Sequence, residues 1–146
     1  MTYRDAGGDL YRLRIPDTLA GSGPREIPEE SRRVETWGGY MCGDAHTVIA
    51  VNVMPVASRT LARAVPILSV HFRTVKERDV QVPGAARARR LDGLTHGDSP
   101  AEPQALTIVV AEAAPHLVTL TCRSWPREDL LREVERIVAS FVIGAA

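Results

Sequence analysis

The sequence has 146 residues, of which 45% are hydrophobic and 25% charged, and its basic and acidic residues balance at 18 each. This composition predicts one globular domain over residues 1–146 that needs no disulfide or metal. The balanced charge argues against nucleic-acid binding, because phosphate contacts usually require a basic surplus. The polar start carries no secretory signal and no apolar stretch is long enough for a bilayer, so we expect a cytoplasmic protein without membrane contact.

The first thirty residues are predicted to hold one strand between irregular segments. Residues 1–9 are polar, and we expect them to be flexible. Apolar and charged residues alternate in Tyr11–Ile15, which is typical of a half-buried strand, and Pro16 is expected to end it. The glycines and prolines of residues 17–30 predict a surface loop.

Two strands and two turns are predicted next. Residues 32–37 fit a strand, and Gly38 and Gly39 predict a turn after it. Residues 40–45 are then a turn that leads into residues 47–54. This last segment is rich in β-branched residues and nearly continuous in hydrophobicity, which predicts a central strand covered on both faces.

A long helix is predicted over residues 58–78, with Ser58 as its N-cap. Apolar side chains recur along this segment at helical spacing: Leu61, Val65, Leu68, Phe72 and Val75. Pro66 lies inside the pattern, so we expect either one kinked helix or two segments. Residues 68–73 also alternate as a strand would, and the helix is favoured because its pattern extends further.

The densest basic cluster lies in a predicted strand over residues 86–94. Arg87 and Arg89 are expected to share one face of this strand, and Arg90 follows them. One interpretation is a solvated strand edge whose charges discourage pairing with other chains. The other is a patch that binds an anion or an acidic partner. The glycines and prolines of residues 93–104 predict a mobile loop.

The end of the chain gives the clearest patterns. Residues 106–111 and 117–122 are β-rich and separated by a short link, which predicts an antiparallel hairpin. A final amphipathic helix is predicted over residues 127–142. Strands grouped apart from helices indicate an α+β fold in which two main helices pack on an antiparallel sheet.

No catalytic, metal or cofactor motif is present in the sequence. The four histidines are scattered, without the local pairs that zinc sites use: His46, His71, His96 and His116. The nucleophile elbow and the phosphate-binding loop are absent. Cys42 and Cys122 lie far apart and form no CxxC pair, so we expect two free thiols, with Cys122 in the core.

Several of these segments together resemble the PsbP-like superfamily, which includes DcrB-like and LpqN-like bacterial proteins and a Ran-binding nuclear import factor. The resemblance lies in four segments: Tyr11–Pro16, Val82–Ala86, the hairpin, and the helix end Ile137–Phe141. It implies an α/β/α sandwich around a central antiparallel sheet and a non-catalytic, accessory or partner-binding role. The sequence lacks the lipoprotein signal of many bacterial members, which argues against an envelope role.

Two functions follow as hypotheses. The first is a non-enzymatic module that binds a protein partner, with a homodimer as an open alternative. Its candidate contact residues are the Arg87, Arg89 and Arg90 cluster and the aromatic or flexible side chains that are enriched at interfaces: Trp37, Tyr40 and Met41. For Trp37, inward packing at a strand end is the alternative. The second hypothesis is a small ligand-binding protein or enzyme with a pocket near Tyr40, Cys42 and His46.

Overall fold

The computed structural model describes residues 1–43, 45–96 and 102–144. A 3-10 turn, Pro28–Glu30, joins the fourth and fifth strands. In chain order the elements are β1 (Tyr3–Gly7), β2 (Tyr11–Pro16), β3 (Leu19–Gly21), β4 (Arg25–Ile27), β5 (Arg32–Cys42), β6 (Ala45–Pro55), α1 (Leu61–Ser69), β7 (Phe72–Val80), β8 (Arg87–Thr95), β9 (Ala105–Ala113), β10 (His116–Ser124), α2 (Glu128–Ser140) and β11 (Val142–Ile143).

The main sheet is antiparallel, with the strand order β3-β5-β6-β10-β9-β8-β7 and β4 paired beside β5. A smaller antiparallel sheet has the order β1-β2-β11. α1 packs against β7, β8 and β9, and α2 against β2, β5, β9 and β10. The two helices belong to different hydrophobic clusters on opposite sides of the main sheet. The predicted α+β fold, an α/β/α sandwich around an antiparallel sheet, is confirmed.

The side of the sheet that faces α2 is buried along the middle of β6, β9 and β10. Successive side chains of a strand point to opposite faces, and in β6 every second residue is buried: Ala45, Thr47, Ile49, Val51 and Val53. Leu130, Val134 and Ile137 of α2 pack on this side, together with Leu13 and Ile15 of the smaller sheet. Helix and small sheet therefore form one continuous layer over this side.

α1 covers a smaller part of the other side. Its buried residues join a second cluster with residues of four strands: Phe72, Leu91, Leu106, Ile108, Val110 and Leu117. The helix is capped by Thr60 rather than by Ser58, since the Thr60 side chain accepts a hydrogen bond from the backbone N–H of Arg63 at 3.4 Å. The Leu61 N–H donates to the Glu112 carboxylate at 3.2 Å, which ties the first turn of α1 to β9.

The predicted helix over residues 58–78 is wrong in its extent. α1 ends at Ser69, and Phe72–Val80 is β7, an edge strand that pairs with β8. Phe72 is buried as the first residue of that strand, so its helical spacing from Leu68 is a coincidence. The alternative of a strand is therefore right for Phe72 and wrong for Leu68.

The predicted turn at Gly38 and Gly39 is also wrong, because both residues lie inside the long strand β5. A Cβ atom on Gly39 would lie 2.6 Å from the carbonyl oxygen of Thr18. Glycine is therefore required there by the close approach of β3, with which Gly39 pairs through Leu19.

Two irregular segments of the sequence contain strands. The polar residues 1–9, expected to be flexible, include β1, which pairs along its whole length with β2. Residues 17–30, expected to be a surface loop, include β3 and β4, and Leu19 is fully buried. Short edge strands of this kind leave little periodic signal in the sequence.

Candidate partner-binding surface

The sheet side that faces α1 is left partly uncovered over β5, β6 and β10. We call this area the open face. None of its described side chains is buried. It consists of Val34, Thr36, Gly38, Tyr40, His46, Val48, Ala50, Asn52, Thr119, Thr121 and Arg123.

Strand register arranges these residues in rows, because directly paired residues of antiparallel strands lie on the same face. Three rows cross the open face: Gly38–Val48–Arg123, Thr36–Ala50–Thr121 and Val34–Asn52–Thr119. Tyr40 and His46 form the next row. Their rings are packed edge to face, with 5.6 Å between the ring centroids. Most of these side chains are small, so another backbone can approach the sheet closely.

A cavity of about 680 Å³ lies between α1 and the open face. Ala64 and Leu68 line it from the helix, and Ala50 and Thr121 line it from the sheet. One side of the cavity is open to solvent, so it forms a trough along the strands. Its volume is within the range of about 300–1,000 Å³ that ligand sites occupy.

The charged residues that line the trough are mostly basic. Arg32 donates a hydrogen bond to Glu30 at 2.8 Å and another to Asn52 at 2.6 Å. The Glu30 carboxylate therefore neutralises the charge of this arginine of the trough. Among the residues that the structure describes, the Arg59 and Arg123 side chains have no hydrogen-bond or ion-pair partner. The trough therefore presents two uncompensated positive charges.

The three candidates around residues 37–41 lie on different sides of the sheet. Trp37 and Met41 are each 3% exposed and belong to the core on the α2 side. Inward packing, the alternative for Trp37, is what the structure has. Tyr40 is 54% exposed and belongs to the open face. Of the three, Tyr40 alone has an exposed side chain, and its binding role stays a prediction.

The alternative pocket near Tyr40, Cys42 and His46 is not formed by these residues. A β-bulge between Tyr40 and Cys42 turns Cys42 to the α2 side, away from the other two side chains. Burial, with the Asp129 and Glu133 carboxylates, raises the pKa of the Cys42 thiol, which disfavours the nucleophilic thiolate. A second cavity of about 420 Å³ also lies elsewhere, beside Tyr11 and Glu35.

The arginine cluster is divided between the two sides of the sheet. Arg87 and Arg89 share a face, as predicted, and both are ion-paired: Arg87 with Glu112 at 3.0 Å, and Arg89 with Glu77 and Asp79. Arg90 is 5% exposed and points to the α2 side. The cluster therefore does not form one surface patch, and its binding role stays a prediction.

The remaining features to consider are metal-binding clusters, the two thiols and membrane-spanning helices. Within residues 1–43, 45–96 and 102–144, no three His, Cys, Asp or Glu side chains group as metal ligands. Cys42 and Cys122 are free, and Cys122 is in the core, as predicted, where burial raises its pKa to about 12. In the same part of the chain, no helix is long and apolar enough to cross a membrane. Asp44 and residues 97–101 of the predicted mobile loop lie outside the described residues.

Sequence reasoning missed the open face. Ala50, Thr119 and Thr121 are small or polar residues inside predicted strands, and no motif distinguishes them. A weak signal exists in β10, where Thr119 and Thr121 alternate with buried residues and so indicate one less covered side.

Comparison with known proteins supports the fold described above. No protein-family model matches the sequence, and no curated protein matches it significantly. The structure is similar to a solved structure of a mutant of the protein Mog1, with a TM-score of 0.57, 10% sequence identity, and coverage of 100% of this chain and 98% of that chain. At this identity the likeness shows the fold alone. It supports the PsbP-like resemblance as a resemblance of fold.

Proposed function

We propose that this chain is a non-enzymatic, cytoplasmic module that binds a protein partner on the open face. The observation that carries the proposal is the uneven cover of the main sheet. The centre of one side is covered by α2 and the small sheet, whereas the other side is only partly covered over β5, β6 and β10, beside α1. Sheets are normally covered by a second layer where their side chains are apolar.

The composition of the open face supports a binding role over a plain solvent face. The solvated side of an antiparallel sheet usually carries polar side chains. Here Val34, Gly38, Val48 and Ala50 lie among polar residues on that side, and Tyr40 extends the surface at one end. Small apolar residues beside an exposed tyrosine are typical of a surface that a partner covers.

A matched pair of threonine variants tests this function. The partner is first recovered by affinity capture on the wild-type chain, identified and purified, and its Kd is measured by calorimetry. Thr121→Arg places a long charged side chain in the middle of the open face, and we expect it to raise the Kd by about tenfold or more. Thr74→Arg, on the exposed edge strand β7, is the control and should leave the Kd within about twofold. An unchanged Kd for Thr121→Arg would contradict the proposal.

A second candidate function is favoured by the cavity volume of about 680 Å³. A small apolar molecule bound between Leu68 and Ala50 would fill the trough without a protein partner. Native mass spectrometry of the purified chain distinguishes the two, because a resident ligand adds a defined mass that Thr121→Arg should remove.

A further inference from the structure

We propose that the element bound on the open face is an amphipathic helix of the partner, with acidic side chains flanking its apolar stripe. This inference rests on the proposed function, since it names the chemistry of the partner at that same surface. Three features of the described residues carry it: the dimensions of the trough, its charge, and the way the chain packs its own helix on the opposite side.

The trough has the dimensions of a helix. On β6 the residues that line the trough run from Val48 to Met54, which spans about 20 Å at a rise of about 3.3 Å per residue. A helix of about 13 residues has this length. From β10 to β5 there are two strand spacings, or about 10 Å, and a helix with its side chains is about 10–12 Å wide. α1 would flank it on one side as a neighbouring helix.

The charges of the trough select an acidic partner. Arg123 pairs with Val48 at one end of the trough. Arg59 lies between β6 and α1, at the other end, and both arginines line the cavity. The Arg32 charge is compensated by Glu30, so the two end positions carry the net positive charge. Carboxylates at both ends of a bound helix would meet a guanidinium each.

The chain already uses this arrangement on its other side. There Arg90 of β8 reaches from the sheet to Glu135 of α2, and its Nη1 donates to a Glu135 carboxylate oxygen at 3.0 Å. The α2 stripe of Leu130, Val134 and Ile137 packs on the strands beside that ion pair. A partner helix with Glu beside an apolar stripe would repeat on the open face the packing that α2 shows.

A peptide library with a fixed apolar stripe tests the inference directly. Peptides of about 18 residues carry Leu and Ile at helical spacing, and their flanking positions vary among Glu, Gln and Lys. They are selected on the immobilised wild-type chain, and the Kd values of the Glu-flanked and Lys-flanked forms are measured by fluorescence polarisation. We expect Glu-flanked peptides to be enriched and to bind at least about tenfold more tightly than the Lys-flanked form.

Charge reversal of the protein shows whether the trough is responsible. The double variant Arg59→Glu with Arg123→Glu should remove the preference for Glu-flanked peptides and weaken their binding about tenfold. Arg78→Glu, an exposed arginine on β7, is the control and should change the Kd by less than about twofold. Equal affinity for Glu-flanked and Lys-flanked peptides, or a preference that survives the double variant, would overturn the inference.

The two proposals fail in different ways. Suppose that Thr121→Arg prevents binding of the purified partner, but Glu-flanked peptides bind no more tightly than Lys-flanked ones. The open face then binds the partner, and the proposal of an acidic helix is wrong. If Thr121→Arg leaves partner binding unchanged, the proposed function itself fails. Binding of a small apolar molecule in place of any peptide also overturns the inference.

Discussion

Arg90 of β8 and Glu135 of α2 form an ion pair that fastens the helix to the main sheet. Arg90 is 5% exposed, and its Nε also donates to Asp92 at 2.8 Å, while Thr107 donates to the same carboxylate. Burial alone would lower the pKa of Arg90, but the hydrogen bonds to Glu135 and Asp92 outweigh it and raise the pKa. The guanidinium is therefore a structural group of the α2 side.

Arg90→Ala should destabilise the fold by about 1–3 kcal/mol, because it removes these bonds and leaves a gap under α2. Asp92 and Glu135 are partly solvated, which keeps the loss below that of a fully buried pair. Arg73→Ala, at an exposed position of β7 that does not pair with Arg90, should cost no more than about 0.5 kcal/mol. Urea unfolding of both variants measures the difference, and equal midpoints would contradict this role for Arg90.

Trp37 and Tyr40 should differ sharply in their effect on stability. Trp37→Ala empties a core position and should cost about 3–5 kcal/mol of unfolding free energy. Tyr40→Ala removes an exposed ring and should cost less than about 1 kcal/mol. Chemical denaturation followed by circular dichroism gives both values. A large loss for Tyr40→Ala would mean that this ring is part of the core and unavailable to a partner.

Thr47→Val should stabilise the protein. Within the described residues, the Thr47 hydroxyl is buried and has no hydrogen-bond partner. Valine has nearly the same shape and removes the unpaired group, so we expect a gain of about 1 kcal/mol. Thr119→Val, at a partly exposed position of β10, is the matched control and should change stability by less than about 0.5 kcal/mol. Thermal unfolding that places Thr47→Val below the wild type would refute this assignment.

Glu112 should make stability depend on pH at the acid end. Hydrogen bonds from Arg87 and from the Leu61 N–H lower its pKa. A carboxyl group with a lowered folded-state pKa stabilises the fold above its unfolded pKa, and that stability is lost as the pH falls through the folded value. Between about pH 5 and 3, the wild type should therefore lose more stability than Glu112→Gln. Parallel loss in both proteins, measured by urea titration at each pH, would contradict the link between Glu112 and α1.

The hairpin of β9 and β10 and the helix α2 could be predicted because local pattern and tertiary environment agree. α2 carries a periodic buried stripe of Leu130, Val134 and Ile137, β9 is a continuous apolar run covered on both faces, and the turn between β9 and β10 is short. β7 could not be predicted, since an edge strand exposed on both sides shows no alternation. The pairing of β7 with β8 and the burial of Phe72 depend on tertiary contacts. These contacts outweigh the helical spacing of the apolar residues after Pro66.

The open face could not be predicted because it depends on where α1 lies. The alternation in β10 indicates that Thr119 and Thr121 share a side, but the sequence does not say which strands a nine-residue helix will cover. Inward packing was the stated alternative for Trp37, and the inward position of Met41 could not be predicted for a related reason. The pair Gly38 and Gly39 predicts a turn, whereas both residues continue β5 and pair with β3, and the strand places Trp37 and Met41 inside.

The location of the binding surface is tested most directly by NMR. The isotope-labelled chain is titrated with the purified partner, and changes in the backbone amide shifts are mapped on the structure. We predict that the largest changes lie on the open face, centred on Thr36, Ala50 and Thr121. Changes centred instead on Arg87 and Arg89, with the open face unaffected, would contradict the central claim.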